Sequence, residues 1–413
     1  MAISLGFHII FACIGIAMPF FMAVSHWKWL KTQRPVFLRL TKAWSRGVAI
    51  FFAVGAVSGT VLSFELGLLW PRFMREAGAL IGMPFSWEGT AFFVEAIALG
   101  LFLYGWDKMS PWIHWGCGLL VGISGVISGL FVVCANGWMN TPVGFEWVNG
   151  EFTQIDPVAA MFNPSALIQG IHMTVAAFQS TGFAVAGLHG LLLLKQHHRE
   201  FHLEAMKIAL LFGAVAALIQ PLAGDFSAKH VARTQPAKLA AMENLEHTQS
   251  RAPLKILGLP IPGLLSFLAY GDFDAEVKGL REFEDVPPAA VVHFSFQVMI
   301  IIGSLLAVIG LASIYFCWKK PKHLESGVFL RILVFCTPLG FIATEAGWVV
   351  TEVGRQPWII QGYLKTKDAL TPMPGIVYSF IIFTAVYLLL TFIVFWILRR
   401  QIINLDREVR ADG

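Results

Sequence analysis

The chain has 413 residues, 56% of them hydrophobic and 14% charged, with mean hydropathy +0.68, whereas soluble domains carry about a quarter charged residues. This excludes water as the main solvent and predicts an all-α integral membrane protein, a single membrane domain over residues 1–413. The net charge of +4 comes from Lys and Arg scattered between apolar runs; without a continuous basic face, no nucleic-acid partner is expected.

Apolar runs near 2–27, 45–67, 88–106, 114–136, 165–194, 206–223, 290–318, 329–353 and 373–398 predict about nine transmembrane helices. The first run is too long for a cleavable leader, so no signal peptide is expected. Lys28, Lys31, Arg34, Arg39, Lys42 and Arg46 follow it; Lys195, Arg199 and Lys207 follow the fifth run, Lys319, Lys320 and Lys322 the seventh, Arg399 and Arg400 the ninth. By the positive-inside rule these ends are cytoplasmic, which puts the N-terminus outside and the C-terminus inside. The segment 224–289 then lies on the outer, periplasmic side. The five cysteines, Cys13, Cys117, Cys134, Cys317 and Cys336, sit in or beside apolar runs and read as small hydrophobes.

An ionisable group at bilayer depth costs several kcal/mol unless it faces a bundle interior, a ligand or water, so each such group is a functional candidate. His8 lies in the first run, within SLGFHIIFACIGIAMPF. The third holds Glu88 and Glu95 in PFSWEGTAFFVEAIALG, seven residues apart on one helix face and roughly 10 Å apart in depth. The fifth holds His172 in GIHMTVAAFQSTGF, and His189, read as a packing histidine. The seventh holds Met299, and the eighth Glu345 and Glu352 in TEAGWVVTEVGRQPW. Taken singly, either of His8 and His172 also fits an interhelical hydrogen bond, Met299 plain packing, and each acid a neutral hydrogen-bonded carboxyl. Together, imidazole and thioether form a recurrent axial pair for low-spin haem iron. The chosen topology puts His8, Glu88, His172, Met299 and Glu345 near the outer ends of their helices, with Glu95 deeper.

These segments together, GFHIIF, WEGTAFFVE, NGWMNTP, the His172 context, KLAAME, QVM, and EAGW followed by GRQPW, resemble the large subunit, subunit I, of cytochrome bd quinol oxidases over nearly the whole chain. The resemblance implies a terminal oxidase of the bacterial plasma (inner) membrane that oxidises membrane quinol, ubiquinol or menaquinol, at the outer face and reduces molecular oxygen to water without pumping. It implies two haems b, one low-spin and one high-spin, with haem d or a third haem b. His172 and Met299 would hold the low-spin haem, and His8 and Glu345 would be axial ligands in the high-spin pair. Glu88 and Glu95 match the acids beside the oxygen-reacting haem and on the proton route. Lys238 and Glu243 match the quinol-site pair in an outer loop of the short type, although loop charges alone read as a solvated helical turn. Arg355 would pair with haem propionates, since guanidinium suits carboxylates. A second membrane subunit (subunit II) is implied, with a small accessory helix as a further option.

Three departures stand out. Glu88 and Glu95 are one residue closer than in the best-known members, and Gln297 stands where many have Arg, a feature shared with some of the cyanide-insensitive branch. Seven residues precede His8, fewer than usual, so the start is expected to lie further upstream. Two rivals remain: a haem-containing quinone-linked membrane anchor that does not reduce oxygen, which predicts paired histidines for each haem, and a proton-coupled transporter, which predicts no haem.

Overall fold

The computed structural model describes residues 1–195, 198–256 and 259–411; residues 257–258 of the expected outer segment and 412–413 of the tail lie outside the described residues. Helices dominate: α1 Ala2–Thr32, α2 Pro35–Leu69, α3 Pro71–Tyr104, α4 Pro111–Asn140, α5 Pro157–Met161, α6 Ala166–Leu194, α7 Arg199–Thr234, α8 Pro236–Met242, α9 Leu264–Tyr270, α10 Ala289–Lys319, α11 Gly327–Cys336, α12 Leu339–Val353, α13 Thr366–Ala369 and α14 Ile376–Ala411. Among the described residues nine helical segments are long and apolar enough to cross a membrane, with α5–α6 and α11–α12 each forming one.

Local chemistry sets the ends. Pro opens α2, α3, α4, α5 and α8 at the first turn, where its missing N–H leaves no bond unmade. Asp156 caps α5 by accepting from the amides of Val158 and Ala159, both at 3.0 Å. Gln33, left-handed at φ 54°, stops α1. The eighth run is split at Thr337–Pro338 because Pro338 has no N–H to continue α11.

The helices outrun the apolar runs that announced them, because a helix continues through polar residues once it has left lipid. The main corrections concern α3, which starts at Pro71 rather than near 88, and α7, which continues to Thr234. Glu88 is therefore mid-helix in α3 and not near its end, while His8, His172, Met299 and Glu345 keep their places within a few turns of an end.

The basic connections gather at one end of the bundle. Arg34 bonds Glu200 at 2.8 Å and Arg199 bonds Glu325 at 2.6 Å, tying the α1–α2 turn, the start of α7 and the α10–α11 connection together. That end also holds the largest apolar cluster, around Phe21, Phe37, Leu40, Phe102, Phe183 and Met206. Between α6 and α7 the backbones touch: a Cβ added at Gly182 would lie 2.4 Å from the Gly213 Cα, the small-residue contact by which membrane helices pack closely. Large side chains such as Phe64, Phe294 and Trp318 point outward, as a surface solvated by lipid requires. At the opposite end the α7–α10 connection folds α8 and α9 over the bundle, with short antiparallel pairs at Gln249–Ser250 with Glu276–Val277 and Leu254–Ile256 with Leu259–Ile261.

Candidate functional site

Four side chains suited to iron project into helix seams, and each faces a glycine. His8 on α1 lies against α2, where a Cβ at Gly59 would come 3.2 Å from its ring. Glu345 on α12 lies against α1, 3.1 Å from a Cβ at Gly6, and its Oε1 is buried with no hydrogen-bond partner among the described residues. His172 on α6 lies 3.7 Å from a Cβ at Gly224 on α7, and Met299 Sδ on α10 lies 3.1 Å from a Cβ at Gly347 on α12. Imidazole, thioether and carboxylate are all donors that can ligate iron, and the buried Glu345 Oε1 lacks a partner among the described residues, so the residues present fit axial haem ligation. His172 and Met299 belong to mutually packed helices, α6, α7, α10 and α12.

The partners of these groups were not legible beforehand. His8 Nδ1 lies 2.9 Å from Ser58 Oγ. Gln220 on α7 directs its amide nitrogen at His172, 3.2 Å from Nε2 and 3.3 Å from the backbone carbonyl. Glu65, buried near the end of α2, accepts a 2.7 Å hydrogen bond from Ser4; the only sequence signal was an acid closing an apolar run.

Glu88 and Glu95 both face α4, as their spacing predicted. Ser128 donates to Glu88 at 3.2 Å, and the Glu95 carboxylate oxygens lie 3.6 Å from where a Gly125 Cβ would stand. Glu95 is buried, Glu88 less so. His189 is a packed residue, its Nδ1 2.8 Å from Nδ1 of His202.

The 224–289 segment departs most from a plain reading of its charges. Lys238 on α8 and Glu243 at its end are both buried, at 4% and 5% exposure, so they are no solvated turn. Lys238 Nζ donates to Asn140 Oδ1 at 2.8 Å and to the Thr351 carbonyl at 3.3 Å, pinning α8 to α4 and α12. Burial, with the Arg355 guanidinium alongside, pushes its amine down from 10.5 to about 7, against the opposing pull of Glu352. Arg355, itself buried, bonds Glu352 at 2.7 Å and leaves Nε and Nη1 without hydrogen-bond partners among the described residues; Asn136 of the NGWMN segment also donates to Glu352. Lys238 and Arg355 line a cavity of about 380 Å³ together with Gln235, Phe283, Asp285 and Trp358, a volume within the range of small-molecule sites. From α8, Ala241 and Met242 pack on Val292 and Phe296, with Met299 against the same cluster, so the cavity element and one candidate iron ligand share a wall.

A bundle of helices long and apolar enough to span a membrane, with imidazole, thioether and carboxylate donors in its seams and a cavity lined by Lys238 and Arg355 at one end, defines a helical membrane protein with the donor set a bound cofactor needs. Comparison with known proteins names the class. A family profile described as "Cytochrome bd terminal oxidase subunit I" matches residues 1–405. The structure of bd oxidase from Geobacillus thermodenitrificans contains a chain 35% identical, with TM-score 0.92, covering 98% of this chain and 96% of that one. A Bacillus subtilis (strain 168) protein provisionally named as a cytochrome bd menaquinol oxidase subunit I is 34% identical, covering 96% of this chain and 93% of the relative. Cytochrome bd ubiquinol oxidase subunit 1 of the same organism is 30% identical, over 96% and 90%. The chain belongs to the cytochrome bd terminal oxidase subunit I family, and it is a multi-pass bacterial membrane protein.

Proposed function

We propose that the chain oxidises membrane quinol at the cavity beside Lys238 and Arg355, and that His172, Met299, His8 and Glu345 hold the iron of its haems. As a family member it is a subunit of a terminal quinol oxidase, a quinol:oxygen oxidoreductase that carries haem and works with a second membrane subunit. The observation that supports the finer reading is that Lys238 and Arg355, both buried, line one cavity of small-molecule size.

Two Lys238 N–H groups are engaged by Asn140 and Thr351, which leaves the third to donate to a quinol oxygen. Glu243, at the end of the same short helix, takes a quinol proton and passes it to the outer face. Arg355, with two unpartnered donor nitrogens, receives haem propionates. Haem, when bound, supplies one-electron transfer between quinol and oxygen and the centre at which oxygen is reduced. His172 and Met299 serve the low-spin haem b; His8 and Glu345 serve the high-spin pair, a haem b with haem d or a third haem b. Glu95, deep on α3, hands cytoplasmic protons toward Glu88. With the N-terminus outside and segment 224–289 on the outer face, proton release and uptake occur on opposite sides, so charge is separated without pumping.

Family membership answers the two rivals, since neither the membrane anchor nor the transporter is a terminal oxidase. The test of the finer reading is a reduced-minus-oxidised spectrum and pyridine haemochrome of the purified complex, followed by oxygen uptake with quinol. Three haems with a chlorin band in the red are expected; three haems without that band would assign all three as b. Fewer than three would overturn the ligand assignment.

A further inference from the structure

His8 and Ser58 meet across the α1–α2 seam, Nδ1 and Oγ 2.9 Å apart. Ser58 is fully buried, and its hydroxyl lies 2.9 Å from the Val54 carbonyl and 3.1 Å from that of Gly55, about one turn earlier on α2. A hydroxyl has one proton and two lone pairs. With the proton directed at the backbone, a lone pair is what Ser58 turns toward the ring. Nδ1 then carries the N–H, and Nε2 keeps a free lone pair.

We propose that Ser58 is a positioning residue for the haem-bearing site: it fixes the tautomer and ring plane of His8 so that Nε2 is the atom offered to iron. This rests on the reading of His8 as an iron ligand. Two neighbouring features support it. Gly59, next along α2, leaves the ring its place, since a Cβ there would crowd Cε1 at 3.2 Å. One turn from His8, Ser4 donates to Glu65 at 2.7 Å, a second clamp that holds α1 and α2 in register. An acceptor on the far ring nitrogen makes a histidine a stronger donor to its metal, so Ser58 favours the ferric state of the iron that His8 holds.

The test uses the whole purified complex carrying Ser58→Ala, Ser58→Thr and, separately, His8→Ala. Haem content, redox titration and the iron–histidine stretch in resonance Raman spectra are the readouts. Ser58→Ala is expected to retain its haems while the midpoint potential of the His8-ligated haem shifts upward and the stretch moves to lower frequency. Ser58→Thr, which keeps the hydroxyl, is expected to restore wild-type values. Unchanged potential and stretch in Ser58→Ala, or an equal shift in Ser58→Thr, would overturn the proposal. Should Ser58→Ala not assemble, Ser58→Cys, similar in size and a poorer acceptor, replaces it with the same expected direction and the same overturning result. A full haem complement in His8→Ala would instead sink the ligand reading itself.

Discussion

The two ends of the bundle solve different problems with the same helices. At the end with the basic connections, Phe21, Phe37, Phe102, Phe183 and Met206 fill the space between α1, α2, α3, α6 and α7, and ion pairs such as Arg34 with Glu200 close it. Toward the other end the seams are lined by Gly6, Gly59, Gly224 and Gly347, each opposite a donor side chain, and α8 brings Lys238 into the interior. Dense apolar packing gives rigidity, and a rigid base lets the opposite half keep glycine walls and partly unmatched polar atoms without collapsing. Stability and cofactor chemistry should accordingly separate when each end is mutated.

The largest effect that could break this separation is loss of a ligand. His172→Ala and Met299→Ala should each abolish the low-spin haem signal, whereas Phe183→Ala should lower the unfolding free energy by about 3–5 kcal/mol and leave the visible spectrum unchanged. Thermal melts read beside absorption spectra check both; a spectral change in Phe183→Ala would mean the halves are not independent. Glu345 and its neighbour Glu352, two turns along the same helix, sharpen the comparison. Glu352 is engaged by Arg355 and Asn136, while Glu345 Oε1 lacks a partner among the described residues. Loss of one high-spin haem is expected in Glu345→Ala and not in Glu352→Ala. The reverse pattern in haem counts would move the ligand two turns toward the C-terminal end of α12.

Lys238→Met comes next. The folded amine titrates near 7 and the unfolded one near 10.5, so between those values the unfolded chain holds the extra proton and stability climbs as pH rises. Below about 7 both forms are charged and the penalty of burying the cation is full. For function the sign is opposite: the charged amine is the stronger donor, so apparent quinol affinity should fall as pH rises through about 7. Lys238→Met should lose both dependences and reduce kcat/KM about 10- to 100-fold, the worth of one charged hydrogen bond. Oxygen-uptake kinetics across that pH range decide it, and an unchanged profile would remove Lys238 from the quinol site.

The parts legible in the sequence follow from this division. Lipid demands about twenty apolar residues per span, so nine spans were visible in composition, and ionisable residues in lipid are rare enough that His8, His172, Glu88, Glu95 and Glu345 stood out singly. Lys238 and Glu243 were recognisable only by resemblance, because burial of a loop charge depends on α8 folding back onto α4 and α12, contacts between residues far apart in sequence. Ser58 and Gln220 carried no signal, and Asn140 entered only as part of the NGWMNTP segment with no role attached: a serine, a glutamine or an asparagine in a helix is ordinary until a neighbouring helix delivers its partner. The early start of α3 was missed because periodicity follows the solvent, and α3 outlasts its lipid-facing stretch.

The smallest expected effect contrasts two glycines on neighbouring helices. Gly347 on α12 would place a Cβ 3.1 Å from Met299 Sδ, while at Gly303 on α10 nothing lies within 4 Å. Alanine gains about 1 kcal/mol in helix propensity over glycine, so Gly303→Ala should raise the melting temperature slightly and leave every haem band in place. At Gly347 the same methyl group meets the thioether, which must turn aside, weakening its hold on iron more than it disturbs the fold. A shifted low-spin band and potential with a nearly unchanged melting temperature is the expected outcome for Gly347→Ala. Identical behaviour of the two variants would mean that Met299 is a packing residue, and that the glycine facing it marks only close helix contact.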